Sequence, residues 1–335
     1  MDSSTMQRSG LQAPPQGQSP EAGHATLMRA LADRHAVIAE LIGERPFHYV
    51  DIPVHGNIGD LLILHGTLAF FERYRLAPRI AAPALAYRPQ WLKKGEAVVF
   101  HGGGNFGDLY DTYGMHALRE TVVSGCPENR IVILPQSIHF TDRARCERSA
   151  RLFRRHPDVH IVVRDLPSYG VAQEFSEHVY LLPDMAHQLY PLAAVGGMGG
   201  GTLMISRMDD EKTHVDSAGY IEVAAITDWP VVVGDNERRI DHFRRAMRGM
   251  NRLGLGWVGN KLLSARWAVF SGRLIDDAVR LFSAHDRIVT DRLHGHILAC
   301  LMNKPSIVLD NSYGKNSRYV GAWTADSALV SLMTA

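Results

Sequence analysis

Arg292 and His294 stand two residues apart in Thr290-Asp291-Arg292-Leu293-His294-Gly295-His296, directly after a short β-branched run, Arg287 to Thr290, and ahead of an apolar stretch. At the carboxyl end of a strand both side chains can face a cleft. The guanidinium offers a planar fork for phosphate or carboxylate, and the imidazole gives or takes a proton near neutral pH. The competing account is a structural ion pair of Arg292 with Asp291 or Asp165, but loops at strand ends concentrate function. Val163-Arg164-Asp165 closes another β-branched run, so Arg164 and Arg292 from opposite walls would grip a ligand bearing both phosphate and carboxylate. In isolation a surface ion pair of Arg164 with Asp165 explains that segment equally well. His296 lies further along and reads as a packing residue.

A repeated pentapeptide is the second signal. Gly56-Asn57-Ile58-Gly59-Asp60 follows one predicted strand, and Gly104-Asn105-Phe106-Gly107-Asp108, preceded by His101-Gly102-Gly103, follows the next. Glycines at strand-to-helix turns permit close backbone approach, and N–H groups at the following helix start favour an anion or a sugar oxygen. Gly56, Asn57, Gly59, Gly103, Gly104 and Asn105 are therefore candidate binding residues. Asp60 and Asp108 are candidate proton acceptors, although each would also serve as an ordinary helix cap. Neither copy has dinucleotide-fingerprint or Walker A spacing. Pro135-Gln136-Ser137-Ile138-His139 and Pro183-Asp184-Met185-Ala186-His187 also end strands, and Gln136 and Ser137 offer polar groups at the same rim. His139 and His187 taken singly fit structural histidines. No metal is implied, because there is no HExxH and no Cys/His cluster.

These motifs punctuate an alternation of short apolar runs and helical patterns. Strands are predicted at Phe47 to Ile52, Ala97 to His101, Arg130 to Leu134, Val159 to Arg164 and His178 to Leu182, with helices near 60–75, 111–124, 141–156 and 166–175. A glycine-rich interval, Val195 to Gly201, precedes a second series: strands at Thr202 to Ser206, Pro230 to Gly234, Arg287 to Thr290 and Ser306 to Leu309, and helices near 236–250, 271–284 and 293–302. Apolar strands separated by helices imply parallel sheets covered on both faces. The expected organisation is a mobile tail over 1–24, poor in apolar residues, and two α/β units, 25–194 and 195–335, meeting at a glycine-rich hinge with a ligand cleft between them. An amphipathic helix is predicted from Ala25 to Ile42.

The 335 residues are 46% hydrophobic and 21% charged, and 36 basic against 35 acidic side chains leave a net charge of +1, so no global field marks a nucleic-acid binder. Cys126, Cys146 and Cys300 are far apart, consistent with free thiols in a reducing compartment. No signal pattern opens the chain, and its most apolar stretch, Leu61 to Phe71, is broken well short of the ~20 residues a membrane span needs. The expected location is the cytoplasm, with the basic segment Arg238 to Arg252 as the contact if the protein works at the inner face of the plasma membrane. A solvated helix face is the plainer account of that segment.

The combination of HGNIGDLLI, FHGGGNFGDLY, VILPQSIHF, VVRDLPSYG, LLPDMAHQLYP and VTDRLHGHILACLMNKPSIVLDNSYGKN, over roughly Tyr49 to Asn316, resembles the polysaccharide pyruvyltransferase family, and within it the bacterial exopolysaccharide enzymes. The resemblance implies two Rossmann-like domains in a GT-B-like arrangement. It also implies phosphoenolpyruvate as co-substrate with no separate cofactor, and a saccharide hydroxyl pair as acceptor. By the same resemblance Arg164, and the run Arg292, Leu293 and His294, bind the donor and take part in catalysis. Two other classes fit the architecture: a glycosyltransferase using a nucleotide sugar, and a non-catalytic sugar-binding subunit of a polysaccharide assembly complex. Phosphate release separates the first, and acceptor-dependent turnover the second.

Overall fold

Ser19 and Pro20 begin helix α1 (Pro20–Asp33): the Ser19 side chain accepts from Ala22 N, and proline fits the first helical position. The computed structural model describes residues 19–109, 114–196, 199–207, 222–310 and 314–333. The expected tail over 1–24 is therefore corrected at its end, while its residues 1–18 lie outside the described ones. The anchor is His24, buried with its ring nitrogens 2.6 Å from Ser327 Oγ and 2.8 Å from Cys300 O. The single helix expected to Ile42 is two, with a break at Arg34 and His35 before α2 (Ala36–Ile42).

The first series then runs β1 (Phe47–Val50), α3 (Ile58–Arg73), β2 (Ile80–Ala82), β3 (Ala97–Phe100), β4 (Gly103–Gly107), α4 (Met115–Gly125), β5 (Arg130–His139), α5 (Arg143–Phe153), β6 (Val159–Val163), α6 (Leu166–Phe175) and β7 (His178–Leu181). Its strands form one parallel sheet in the order β2-β1-β3-β5-β6-β7, with β4 paired to the far end of β5. The second series is β8 (Thr202–Ile205), β9 (Ala225–Thr227), α7 (Trp229–Val233), α8 (Glu237–Arg252), α9 (Gly256–Ser283), β10 (Arg287–Thr290), α10 (Leu293–Leu301), β11 (Ser306–Leu309), α11 (Lys315–Tyr319) and β12 (Val330–Met333). It gives a second parallel sheet, β12-β11-β10-β8-β9. The chain is thus mixed α/β with two parallel sheets.

Two sequence readings in the second series need correction. Pro230 to Gly234 is not a strand: Asp228 caps Trp229 N and Pro230 sits in the first turn, so the valines that follow enter α7. The strand of this region is β9, just upstream. Helix α9 begins at Gly256, well before residue 271, because Val258, Leu262 and Val269 point outward and blur the amphipathic period. The glycine-rich interval lies against the end of α9 where it is described: Val195 N donates to Ser283 Oγ at 2.9 Å, and a Cβ on Gly199 would stand 1.8 Å from Ala284 O. Residues 197 and 198 of that interval lie outside the described residues.

Two elements join the sheets. Helix α3 is apolar on nearly every side because it is enclosed, packing on the turn at Met185–Leu189, on α9 and on α10. Helix α9 lies along the β2 edge of the first sheet, where Asn260 Nδ2 donates to Ala86 O (3.0 Å), Ser264 Oγ to Ala81 O (2.7 Å) and Trp267 Nε1 to Pro53 O (2.7 Å). One apolar cluster consequently continues from the first sheet into the second. No described helix is long and apolar enough to cross a membrane.

Gly66, in the middle of α3, would as alanine gain about 1 kcal/mol of helix propensity. Its virtual Cβ, however, stands 2.1 Å from Met185 O and 2.8 Å from Ala186 Cα. Backbone cannot yield as a flexible side chain would. We expect Gly66→Ala to destabilise the protein by roughly 1–3 kcal/mol in urea unfolding, overpacking outweighing propensity; an unchanged or raised midpoint would contradict this packing.

Candidate active site

The ends of β6 and β7 and the start of α10 meet at one buried carboxylate. Asp184 caps the short turn that follows β7, its Oδ1 accepting from Ala186 N at 2.9 Å. Its Oδ2 accepts from Arg164 Nη1 at 2.5 Å and lies 3.4 Å from His294 Nε2. Asp184 is fully buried and Arg164 nearly so. Burial alone would raise the Asp184 carboxyl, but the His294 ring and the Arg164 guanidinium outweigh it and hold it well below the ordinary carboxylate range. Arg164 therefore pairs with Asp184 and not with Asp165. Ser137 bridges the two, accepting from Arg164 Nε at 3.0 Å and donating to Asp165 Oδ2 at 2.7 Å, while Asp165 caps α6 through Ser168 N.

His294 is wedged against the first glycine-rich turn. A Cβ on Gly59 would stand 2.6 Å from its Nδ1, so glycine at 59 is what lets the ring sit at the start of α3. Asn57 is occupied as the cap of α3, accepting from Gly59 N at 3.0 Å. Arg292 pairs with neither Asp291 nor Asp165. It donates from Nε and Nη2 to the two carboxylate oxygens of buried Asp228, at 2.7 and 2.5 Å. Asp291 instead accepts from Arg207 N and Ser206 Oγ.

The second glycine-rich segment is β4, not a turn into a helix. Gly104 faces two cations: its virtual Cβ lies 3.5 Å from both Arg164 Nη2 and Lys315 Nζ, with no other atom of the described residues, its chain neighbours aside, within 4 Å. Behind it runs a buried polar network. Asn105 donates to Asp51 Oδ2 at 3.0 Å, Arg119 Nη2 donates to Asp51 Oδ2 (2.8 Å) and Asn105 Oδ1 (2.7 Å), and Gln136 Nε2 donates to Asn105 Oδ1 and His101 O. Asp51 holds φ = 68°, an uncommon backbone for a non-glycine residue, and burial lifts its carboxyl to about 6 against the pull of Arg119 and Asn105.

A cavity of about 890 Å³ collects these groups. Of the residues expected from sequence, Gly56, Asn57, Asp60, Gly104, Asn105, Ser137, Arg164, Arg292, Leu293 and His294 line it, and Gly59, Gly103 and Gln136 stand behind the lining. Asp108 does not belong to the wall. Its carboxylate accepts from Thr141 N and Oγ1 and from Asp142 N, and those bonds, against partial burial, keep it below the ordinary range. The two copies of the pentapeptide thus diverge: Asp60 faces the cavity, 3.6 Å from His55 Nε2, while Asp108 fastens the loop before α5. His139 lines the cavity, His187 is buried against Tyr319 with Nε2 2.9 Å from its hydroxyl, and His296 packs between Ser306 and Thr324.

Sequence reasoning missed Asp184, Asp228, Lys315 and His101 as parts of the site. Asp184 and Lys315 stand inside quoted motifs whose spacing does not mark them for the site. Asp228 lay beside a misread strand. His101 ends β3 with Nδ1 2.6 Å from Tyr49 Oη, and its Nε2 has no hydrogen-bond partner among the described residues; burial lowers its pKa to about 3, so the ring is neutral. Among the described residues no group of three His, Cys, Asp or Glu side chains is placed to hold a metal ion.

Comparison with known proteins gives a consistent result. A sequence model of the family described as polysaccharide pyruvyl transferase matches residues 57–313. The provisionally named pyruvyl transferase EpsO of Bacillus subtilis (strain 168) is 36% identical over 293 residues, 82% of this chain and 84% of its own. Pyruvyl transferase 1 of Schizosaccharomyces pombe is 31% identical over 247 residues, 68% of this chain and 54% of that protein. A crystal structure of an uncharacterized protein from Klebsiella pneumoniae superposes with a TM-score of 0.54 at 19% identity, over 92% of this chain and 99% of that one, a likeness of fold alone.

Asp184 makes the arrangement measurable. Its folded pKa lies below the unfolded value of ~3.9, so its contribution to stability is complete above that pH and is lost as pH falls toward the folded value. Asp184→Asn leaves a buried guanidinium uncompensated and is expected to cost about 3–5 kcal/mol at neutral pH. It should also flatten the loss of stability below about pH 4; urea titrations at several pH values that show the same acid slope in variant and wild type would refute the assignment.

Proposed function

Because this chain belongs to the polysaccharide pyruvyl transferase family, we propose that it moves the pyruvyl group of phosphoenolpyruvate onto a pair of saccharide hydroxyls, as a cyclic ketal, during exopolysaccharide synthesis in the cytoplasm. In this reading the two sheets are Rossmann-like units in a GT-B-like arrangement, divided near residues 194 and 195, and the cavity is the cleft between them. The observation that supports it is the convergence of Arg164 and Lys315 on Gly104, in the same cavity as Arg292 and His294. A small molecule with a carboxylate and a phosphate needs two such cationic places.

His294 gives a proton to the donor's methylene carbon, and positive charge builds on C2. A first sugar hydroxyl bonds to C2 and loses its proton to Asp60, the carboxylate at the start of α3. The second hydroxyl then forms its bond to C2 and passes its proton to the now neutral His294 as the C2–O bond to phosphate breaks. The electron pair leaves with inorganic phosphate, which Arg292 steadies as charge moves onto it. Asp184 acts through its neighbours, fixing the His294 ring and the Arg164 fork in one geometry.

The test is incubation of the purified protein with phosphoenolpyruvate and an acceptor glycan. Acceptor-dependent release of inorganic phosphate together with a pyruvyl mass increment is expected; nucleotide release with a sugar increment would instead mark a glycosyltransferase, and binding without turnover a scaffold. Two variants should then separate by kinetics. His294→Ala is expected to lower kcat by ~10²–10⁴-fold with the donor KM little changed. Gly104→Ala introduces a methyl at ordinary contact distance, so the fold should hold while the donor KM rises on the order of tenfold. Wild-type kinetics in either variant removes that residue from the scheme.

A further inference from the structure

Helices α8 and α9 form a hairpin whose outer face does not look like an ordinary solvated surface. Between Asp241 and Asp276 the sequence has no acidic residue and seven Lys or Arg. Arg238, His242, Arg245 and Arg252, spaced by four, three and seven, are exposed along one side of α8. None of these three arginines has an ion pair among the described residues, unlike Arg244 on the inner side, which binds Glu237 and Asp241. The turn between the helices exposes Leu253 (73%) and Leu255 (51%), and Val258 (66%), Leu262 (55%) and Val269 (63%) continue outward along α9. Spacings of three, four and seven from Leu255 to Val269 make one stripe, flanked by exposed Lys261, Arg266 and Arg273.

Single exposed apolar residues need no explanation, but a contiguous stripe does. Leucine and valine bordered by arginine is the composition of a helix face that lies in a bilayer interface, apolar side chains among the acyl boundary and cations on lipid phosphates. A protein partner would have to be both apolar and strongly acidic to match it. Position adds a second reason: Arg244, Met247 and Arg248 of α8 line the cavity, and Arg248 lies three residues from Arg245 and four from Arg252, so the basic side of α8 borders the site.

We propose that the α8–α9 hairpin docks this protein on an anionic lipid bilayer, the Leu253–Leu255 turn and Val258 and Leu262 entering the headgroup region. A saccharide carried on a membrane lipid would then reach the cavity from the side that α8 borders. The docking stands on the surface alone and does not depend on the donor or the reaction.

Co-sedimentation of the full chain with vesicles tests it. Vesicles of phosphatidylcholine with about one-third phosphatidylglycerol should pull the protein down at low salt, and about 0.5 M salt should release most of it. Vesicles of phosphatidylcholine alone should not. Arg245→Glu with Arg252→Glu, and separately Val258→Asp with Leu262→Asp, should each weaken binding by ~10-fold or more, while turnover of a soluble acceptor, and the helical circular dichroism, stay unchanged. Failure to bind the anionic vesicles, or binding that survives both pairs of substitutions, overturns the proposal. So does a dimer in size-exclusion chromatography that both pairs abolish, which would make the face a contact between copies.

Discussion

The Asp184 carboxylate is the point on which the two halves of the site depend. It is charged and removed from water, a state that is costly unless the charge is paired and its remaining lone pairs are filled. Arg164 from the end of β6, the Ala186 amide and His294 from the start of α10 do this together. The Tyr319 hydroxyl accepts from Asp184 N at 3.1 Å, and Trp323 Nε1 donates to Arg164 O at 2.8 Å, so the segment between β11 and β12 also closes on this pair. Any relative shift of the halves that broke these bonds would strand a buried ion. The candidate acid and the candidate donor-binding arginine are therefore held in a fixed relation by the same group.

Glycine performs the complementary task of letting elements come close enough. Gly66 admits the Met185 carbonyl against α3, which sets the height of Asp184; Gly59 admits the His294 ring at the start of the same helix; Gly104 leaves a place between Arg164 and Lys315. Each absence of a side chain removes an obstacle between groups distant in sequence. Of these three, Gly104 lines the cavity and its virtual Cβ stands at ordinary contact distance, whereas those of Gly59 and Gly66 would clash.

Much of this was legible in the residues. Strands at Arg287–Thr290 and Ser306–Leu309 lie where alternation and β-branching predict them, and the arginines and the imidazole do reach one cavity. What could not be read were the partners. Arg164 was weighed against Asp165, its neighbour in sequence, whereas its partner lies 20 residues away at the end of the next strand; Arg292 was weighed against Asp291 and pairs 64 residues away with Asp228. Sequence adjacency at a strand end turns side chains to opposite faces, so the nearest acid is the wrong one. The two pentapeptides were also treated as equivalent, yet β4 continues the pairing of β5 and carries Asp108 past the rim, while Asp60 begins a helix. Identical local grammar was overridden by tertiary pairing, and the outward apolar stripe on α9 hid half of that helix for the same kind of reason: a surface residue that behaves like core defeats periodicity.

The bidentate hold of Asp228 on Arg292 has a consequence for how a donor would be bound. Asp228 also caps α7 through Trp229 N, so it is fixed from two sides and cannot follow a guanidinium that swings away. Arg292 gives Nε and Nη2 to this carboxylate and lines the cavity, so its fork is held in one orientation at the cavity wall. Rigidity reduces the ordering that a ligand would otherwise impose on a long side chain, and a neutralised pair attracts a dianion less than a bare cation does. In the proposed reaction, stabilisation by Arg292 would grow as charge accumulates on the departing phosphate and be modest in the ground state, which is the condition under which a contact accelerates a reaction more than it tightens binding.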